Sequence, residues 1–322
     1  MSNILEAIFN IIQNPIADLR DIPLGRNRMN SMGTALETFI KDSFANTLGL
    51  SDEQDRLKKY NKVFSWLGNQ NNPPDAMIKG GDAIEVKKTQ SEKSDLALNS
   101  SYPKALLRAD SPMIVEGCRT SEDWSEKDLI YCVGHTSDER LKSLWLVYGT
   151  IYAAQQQIYE VIKEKISKGI NEIPNIHLAQ TNELGRVNRL DPLGITNLRI
   201  RGMWQIQNPR KVFEYLYKQE NTDNLFELVA IIPTAKYNTF PQESRAKIEA
   251  LNILSISDKQ VKDPNNPAKL IDVKLIIFHQ SPLLKNQYPL ILLPLSYDAD
   301  RHKRKEDCVG LPHTDSTLPD AG

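Results

Sequence analysis

The sequence predicts an α/β protein with a central mixed β-sheet flanked by helices, and with additional α+β elements in its C-terminal half. Three observations support this fold class. Apolar residues recur at helical spacing in residues 3–13 and again in residues 154–168. Between these two segments lie short runs rich in β-branched and aromatic residues. The 322 residues, with 40% hydrophobic content, are also enough to bury a sizeable core. Helices that precede and follow one sheet make a layered α/β domain.

Two helices are predicted near the N-terminus. The first, residues 3–13, carries large aliphatic side chains at helical spacing, and Pro15 stops the pattern. It either packs on its own domain or forms a dimer surface. A turn-like segment at residues 25–31, with two arginines and two asparagines, leads into a second helix at residues 32–48. Glu37 lies on this helix, one turn before Lys41, either as a solvated charge or in a supporting role beside a metal site.

The stretch NNPPDAMIKGGDAIEVKK, residues 71–88, predicts a β-hairpin. Two short strands flank a Lys-Gly-Gly-Asp turn at residues 79–82, which is a hairpin signal. The period of two in a strand puts Glu85 and Lys87 on one face and Val86 on the other. We therefore expect Asp75, Glu85 and Lys87 to converge on one point.

Two carboxylates beside a lysine suit metal-dependent phosphodiester hydrolysis. Carboxylates are hard oxygen ligands for Mg²⁺, and a lysine can position or deprotonate the attacking water and counter the charge that builds on phosphorus. Asp75, Glu85 and Lys87 are the catalytic candidates, with Asp75 and Glu85 as metal ligands. The alternative is an exposed hairpin with solvated charges. Apolar residues alternate with these charges, which favours a strand with one buried face.

Further strands and one helix are expected after the hairpin. Residues 89–95 are polar and predict a loop. Predicted strands at residues 111–115, 128–134 and 142–152 join the hairpin in a mixed sheet of about five strands. A helix follows at residues 154–168, and Gly169 is expected to end it.

The C-terminal half predicts a second set of elements. Arg199 and Arg201 lie on one face of a predicted strand, with Ile200 on the other. Then come a short helix near residues 212–218, a strand at 226–232, a helix at 242–251 and a strand at 271–279. The expected organisation is a catalytic core with N-terminal helices at 1–170, recognition elements of the same globule at 171–300, and a flexible tail at 301–322.

Charge and cysteine usage narrow the function class. Forty basic against forty-one acidic residues give a net charge of -1, which argues against indiscriminate coating of nucleic acid but allows a local basic cleft. The three cysteines have no Cys-x-x-Cys spacing, so neither a disulfide framework nor a zinc site is indicated. With no signal-peptide pattern and no run of roughly 20 apolar residues, we expect a cytoplasmic protein without membrane contact.

The motifs around the hairpin occur in an ordered set: residues 27–33 before the helix with Glu37, then Pro73-Pro74-Asp75, then Glu85-Val86-Lys87-Lys88, then NSSYPK at residues 99–104. Together they resemble the NgoPII-like type II restriction endonucleases of the PD-(D/E)XK nuclease superfamily, most strongly over roughly the first third of the chain. The resemblance puts Asp75, Glu85 and Lys87 in the three signature places. It implies Mg²⁺-dependent, site-specific cleavage of double-stranded DNA, and a GGCC site for the name-giving member.

Candidate DNA contacts flank the hairpin and recur in the C-terminal half. Hydroxyls, amides and lysines close after the signature suit phosphate contacts and base-edge hydrogen bonds, with an ordinary turn as the alternative. These residues are Lys88, Asn99, Ser100, Ser101 and Lys104. Arginines offer the fork that recognises guanine, with plain surface charges as the alternative. They are Arg186, Arg189, Arg199 and Arg201.

Three functions remain open at this point. They are a type II restriction endonuclease, another PD-(D/E)XK nuclease of repair or junction resolution, and a non-catalytic DNA-binding α/β protein. Because one hairpin supplies one metal cluster, symmetric cutting of a palindromic duplex predicts a homodimer. The resemblance also implies a cognate DNA methyltransferase in the same cell, not held as a stable subunit.

Overall fold

The computed structural model describes residues 2–14, 32–69, 72–138, 140–173, 184–218 and 225–280 of the chain, and of Met32, Asn69 and Asn99 only the backbone. The predicted turn at residues 25–31 and the predicted tail at residues 301–322 lie outside the described residues. None of the described helices combines the length and the apolar character that a membrane crossing requires.

A mixed nine-stranded sheet forms the centre of the molecule and confirms the predicted fold class. Eight strands run in the order β1-β2-β3-β6-β7-β11-β13-β12, and β5 pairs with β6 beside this path. The β3–β6 and β7–β11 pairs are parallel, and the other pairs are antiparallel. The strands of this sheet are β1 (Phe64–Asn69), β2 (Asn72–Ile78), β3 (Ala83–Thr89), β5 (Leu106–Arg108), β6 (Glu126–Ser137), β7 (Arg140–Tyr148), β11 (Phe226–Pro233), β12 (Leu254–Asp263) and β13 (Asn266–Gln280).

Two small two-stranded sheets lie beside the central one. They pair β4 (Leu96–Asn99) with β10 (Trp204–Ile206), and β8 (Gly185–Val187) with β9 (Leu198–Ile200). The described helices are α1 (Ile4–Gln13), α2 (Met32–Ala45), α3 (Glu53–Val63), α4 (Glu116–Arg119), α5 (Gln156–Asn171), α6 (Pro209–Val212), α7 (Thr234–Tyr237) and α8 (Gln242–Glu249).

Helix α1 is an internal packing element. Its aliphatic side chains are buried in the main core. Asn3 caps the helix and donates to the Ser244 hydroxyl of α8, at 3.2 Å, and Asn10 donates to the Ser43 carbonyl of α2, at 2.8 Å. The alternative that α1 forms a dimer surface is therefore wrong.

Several predicted boundaries differ from the structure for identifiable reasons. Residues 111–115 form turns before α4, not a strand. Pro112 has no N–H to donate to a neighbouring strand, and the Arg119 guanidinium donates hydrogen bonds to the backbone carbonyls of this segment. Helix α5 continues through Gly169 to Asn171, since an interior glycine costs a helix only about 1 kcal/mol. The short helix expected near residues 212–218 lies slightly earlier, where Asn208 caps α6.

Helix α3 and strand β12 were not predicted from the sequence, because their outer faces are polar. Helix α3 buries only Tyr60, so it lacks an apolar stripe, although Asp52 caps it through the N–H groups of Gln54 and Asp55. Strand β12 forms the edge of the sheet and is mostly exposed along SDKQVKD. Charged edge strands protect a sheet from pairing with another strand. Their charged composition is not typical of a strand, so β-propensity does not predict them.

Candidate active site

The hairpin is formed by β2 and β3, as predicted. Its turn closes through hydrogen bonds from the Ile78 N–H to the Asp82 carbonyl, at 2.9 Å, and from the Gly81 N–H to the Ile78 carbonyl, at 3.0 Å. Gly80 has a φ of 60°, in the left-handed region that glycine adopts without steric cost. The Gly-Gly pair therefore does what the sequence indicated: it reverses the chain between the two catalytic strands.

Asp75 lies where β2 and β3 separate. The paired residues nearest to this point are Ala76 and Ile84. Beyond them the Val86 N–H donates to the Asp75 carboxylate instead of to a backbone carbonyl, at 2.6 Å. The Asp75 side chain thus takes the place of one backbone hydrogen bond between the two strands, and the carboxylate is held beside the middle of β3.

The pKa of Asp75 is raised to about 7, mainly because burial disfavours the charged form. The neighbouring carboxylate of Glu85 raises it further, and Glu37 adds a smaller contribution of the same sign. The Val86 hydrogen bond and the Lys87 ammonium act in the opposite direction without compensating. Burial and the neighbouring carboxylates together therefore favour the protonated form of Asp75.

Glu85 and Lys87 share one face of β3 and form an ion pair of 2.6 Å. Their side chains are only 15% and 25% exposed, so the hairpin charges are not a solvated face. Burial alone would lower the pKa of Lys87, but Glu85 and then Asp75 outweigh it, and the pKa lies above its ordinary value. Lys87 is held as a cation against the two carboxylates.

These three side chains open into one cleft of about 210 Å³. Its other wall comes from the segment that follows β4. The polar groups lining the cleft are Asn72, Asp75, Glu85, Lys87, Ser100, Ser101, Tyr102, Lys104 and Tyr131. The structure thus brings Ser100, Ser101 and Lys104, which the sequence singled out, to the same cleft as the signature residues.

Lys104 places a second ammonium in the cleft. Its Nζ donates to the Ser101 hydroxyl and lies 5.7 Å from the centre of the Tyr102 ring. Burial lowers the pKa of Lys104, the nearby Glu85 carboxylate opposes this, and the Lys87 ammonium adds to it. Lys104 on one wall therefore faces Asp75 and the Glu85–Lys87 ion pair on the other.

Tyr131 and Gly149 fix the backbone of Lys104, and neither was found from the sequence. The Tyr131 hydroxyl accepts from the Lys104 N–H, at 2.8 Å, and donates to the Lys104 carbonyl, at 3.1 Å. A Cβ at Gly149 would lie 2.4 Å from the Ala105 carbonyl oxygen and 2.6 Å from that of Lys104. These contacts join positions far apart in the chain, so no local sequence pattern predicts them.

Glu37 stands on α2 and forms an ion pair with Lys41. Helix α2 packs closely on β6, because Gly134 leaves room for the Leu36 side chain: a Cβ at Gly134 would lie 2.6 Å from it. The charge of Glu37 acts on both Asp75 and Lys87. The helix therefore carries a third carboxylate close enough to influence the site.

Several predicted DNA contacts lie elsewhere. Lys88 pairs in register with Gly134, which faces α2, so Lys88 is on the opposite side of β3 from the cleft. Asn99 ends β4, and its side chain lies outside the described residues. The strand expected to carry Arg199 and Arg201 is only Leu198–Ile200, so the prediction that they share a strand face is wrong.

None of the four candidate arginines of the C-terminal half is among the described residues that line the cleft of Asp75, Glu85 and Lys87. Arg199 pairs in register with Arg186 across the β8–β9 ribbon, and Arg189 follows with a φ of 56°. Arg201 lines a second cleft, of about 240 Å³, between α5 and the start of β10. Ser100 lines both clefts, so the second cleft adjoins the first.

The donor set of the cleft fits a divalent cation held jointly with a phosphate. No three His, Cys, Asp or Glu side chains within the described ranges are grouped to hold a metal by themselves. Mg²⁺ in phosphoryl-transfer sites is commonly bound through one or two carboxylates together with the phosphates of the substrate. Asp75 and Glu85 provide two carboxylates. Burial is the main cause of the raised pKa of Asp75 and the Glu85 charge is the second, and a bound cation would offset that repulsion.

Comparison with known proteins identifies the family of this chain. The sequence matches the NgoPII restriction endonuclease family over residues 2–262. It is 47% identical over 278 residues to the type II restriction enzyme NgoPII of Neisseria gonorrhoeae, an alignment that covers 86% of this chain and 99% of that protein. No solved structure matches the chain. On the extent of both matches, the chain belongs to the NgoPII restriction endonuclease family.

Proposed function

We propose that this chain cleaves double-stranded DNA at a specific short palindromic sequence, by Mg²⁺-dependent hydrolysis in the cleft of Asp75, Glu85 and Lys87. The observation that carries the proposal is the convergence of two buried carboxylates and an ion-paired lysine on one cleft whose opposite wall holds Lys104. Family membership makes duplex DNA the substrate and site-specific cutting the activity.

Each side chain of the cleft has a role that its contacts support. Asp75 and Glu85 would hold a Mg²⁺ ion, which would polarise the phosphate and lower the pKa of a bound water. Lys87, held by Glu85 at 2.6 Å, orients the attacking water and offsets charge that develops on phosphorus. Lys104 and Ser101 bind non-bridging phosphate oxygens from the other wall and so align the scissile bond.

Glu37 acts through its neighbours. Its carboxylate raises the pKa of Lys87 and keeps that ammonium protonated together with Glu85. Recognition of bases is assigned to the C-terminal half, where Arg201 lines the second cleft and Arg199 lies on β9, because a guanidinium group can recognise guanine. The GGCC target implied by the NgoPII resemblance is the sequence we propose for this chain.

The proposed assembly is a homodimer on the palindrome. One cleft cuts one strand, so two copies related by a two-fold axis match a two-fold DNA site. A methyltransferase that protects the same sequence is proposed to act in the same cell as a separate protein. Sedimentation with and without a short cognate duplex tests the dimer. A monomer in both conditions, with accumulation of nicked DNA during cleavage, would contradict it.

Digestion of a mapped plasmid, followed by sequencing of the ends, tests the activity and the target together. The expected result is a discrete fragment pattern that requires Mg²⁺, with identical ends at every GGCC. Cleavage at a different fixed palindrome would refute the target and keep the enzyme class. Cutting that follows branched or damaged DNA instead of sequence would favour the repair or junction-resolving alternative. No cutting with any divalent ion would contradict the catalytic assignment.

A further inference from the structure

Lys236 links the catalytic hairpin to the second half of the chain. It lies on α7, and its ammonium donates to the Asp82 carboxylate, at 2.6 Å, and to the Asp128 carboxylate, at 2.7 Å. The rings of Tyr148 and Phe240 lie 5.8 Å and 5.9 Å from the same nitrogen. Lys236 is not among the described residues that line the catalytic cleft. The lysine therefore bridges two carboxylates outside the cleft.

These two carboxylates stand where β3 and β6 begin to pair. Asp82 is the last residue of the hairpin turn, directly before β3, and Asp128 directly precedes Leu129 in β6. The first pair of the parallel ladder is Ala83 with Leu129. Two negative charges thus lie side by side at the start of the ladder, and Lys236 is the cation that joins them.

Asp82 is shielded from the water that could screen it from Asp128. Its residue is only 3% exposed, and its second carboxylate oxygen accepts from the Tyr148 hydroxyl, at 2.7 Å. The groups that face it are Lys236, Tyr148 and Asp128. Burial raises the pKa of Asp82, Lys236 and then the Tyr148 hydrogen bond oppose this, and the Asp128 charge raises it further. Without Lys236 the two carboxylates would repel each other across the β3–β6 pair.

The register of β3 against β6 positions both walls of the catalytic cleft. Glu85 lies three residues beyond Asp82, or about 10 Å along the strand, and it pairs in register with Tyr131. The Tyr131 hydroxyl in turn holds the backbone of Lys104. A displacement of β3 along β6 would therefore move Glu85 relative to Lys104. A misplacement of about 1 Å, caused by a change far from the reacting atoms, can slow a reaction about a hundredfold.

We propose that Lys236 is a positioning residue for DNA cleavage: it neutralises Asp82 and Asp128 and so holds β3 and β6 in the register that the cleft requires. The inference rests on the proposed function, because it concerns the cleavage assigned to Glu85 and Lys87. The alternative is that Lys236 only stabilises the fold. The two differ in the pH dependence of a Lys236 variant, and in whether removal of the Asp82 charge compensates for loss of the lysine.

Lys236→Met removes the cation and leaves the two carboxylates opposed. At pH 8, and at a temperature at which the variant is folded, we expect single-turnover cleavage of a GGCC duplex to slow about ten- to a hundredfold. Duplex binding in Ca²⁺ should not change. At pH 6 the deficit relative to the wild type should shrink, because protonated Asp82 no longer repels Asp128. The double variant of Lys236→Met with Asp82→Asn should regain most of the rate, since the asparagine is uncharged and its oxygen still accepts from the Tyr148 hydroxyl.

Lys274→Met is the matched control. The side chains of Lys274 and Lys236 are both 23% exposed, and Lys274 also bridges neighbouring strands, through an ion pair of 2.7 Å with Asp258 across β12 and β13. It lies 5.7 Å from the ring of Tyr237 on α7, so its loss affects the same helix without touching the hairpin. We expect Lys274→Met to cleave at the wild-type rate. Hydrogen exchange gives a readout without cleavage: the β3 amides should exchange faster at pH 8 in Lys236→Met, and at the wild-type rate in Lys274→Met.

Each remaining outcome decides the question. Cleavage by Lys236→Met at the wild-type rate would overturn the inference, and so would a slow double variant or a deficit that is equal at both pH values. If Lys236→Met does not fold, a folded double variant with near wild-type cleavage supports the inference. Failure of both variants to fold would assign Lys236 to the stability of the fold alone and overturn it. A wild type that does not cleave, with faster β3 exchange in Lys236→Met, contradicts the proposed function and keeps the register role of Lys236.

Discussion

Asp75→Asn is expected to stabilise the metal-free protein above neutral pH while it removes a metal ligand. The wild-type carboxylate is buried beside Glu85, and its pKa is raised to about 7. Asparagine keeps an oxygen that can accept from the Val86 N–H, so the hydrogen bond to the middle of β3 is retained. What the substitution removes is the charge.

The sign and size of the effect follow from the pKa of Asp75. Its folded-state pKa of about 7 exceeds the unfolded value of about 3.9. The native state therefore holds the proton more tightly than the unfolded state. The associated stability is fully present below about pH 4 and is lost as the pH rises through about 7. Three pKa units at about 1.4 kcal/mol each give an upper bound of about 4 kcal/mol for the loss.

Thermal unfolding in EDTA at pH 5 and at pH 8 measures this difference. An unfolding entropy of about 2.1 cal/mol/K per residue gives roughly 1.5 °C per kcal/mol for 322 residues, so Asp75→Asn should melt several degrees above the wild type at pH 8, with a smaller gap at pH 5. Added Mg²⁺ should raise the melting temperature of the wild type but not of the variant. Asp55→Asn, on the exposed face of α3, serves as the control and should change neither value. An equal gap at both pH values would refute the reasoning.

Three further substitutions test the rest of the cleft. Lys87→Ala should fold normally and cleave at least about tenfold more slowly, because alanine cannot offset charge on phosphorus. Tenfold corresponds to about 1.4 kcal/mol in the activation free energy. Tyr131→Phe leaves the Lys104 N–H and carbonyl without their hydroxyl partner, and should lower the free energy of unfolding by about 1–2 kcal/mol and slow cleavage. Gly149→Ala should slow cleavage more than Tyr131→Phe, since its methyl group would overlap the Ala105 carbonyl oxygen and displace the cleft wall.

Urea unfolding and single-turnover cleavage, measured on the same preparations, check these three expectations. Lys87→Ala with activity within tenfold of wild type would move the lysine role to another residue, such as Lys104. Unchanged cleavage in both Tyr131→Phe and Gly149→Ala would show that the position of Lys104 does not matter to the reaction. Tyr215→Phe, at an exposed tyrosine outside the cleft, is a suitable control for loss of a hydroxyl.

The catalytic hairpin could be predicted because its information is local. Asp75, Glu85 and Lys87 lie within thirteen consecutive residues, and a turn of two glycines fixes their register. The alternation of a strand then decides which side chains share a face. The long strands β6, β7 and β11 could also be predicted from the sequence, because their apolar runs are typical of strands buried in a sheet.

The cleft wall and the outer surface could not be predicted in the same way. Lys104 is positioned by Tyr131 and Gly149, which are distant in the chain and carry no motif. Lys88 follows Lys87 directly, yet the strand turns it to the opposite face. Helix α5 has the apolar periodicity of a core helix and yet buries no residue, because spacing alone shows that one face is apolar and not what covers that face.

The central claim is that Asp75 and Glu85 hold the catalytic metal while DNA is bound mainly by other residues. Cleavage of a plasmid in Mg²⁺ and binding of a cognate duplex in Ca²⁺, measured side by side for Asp75→Ala and Glu85→Ala, test it most directly. We predict that each variant loses cleavage and keeps DNA binding in Ca²⁺. Cutting by either variant at near the wild-type rate would contradict the account.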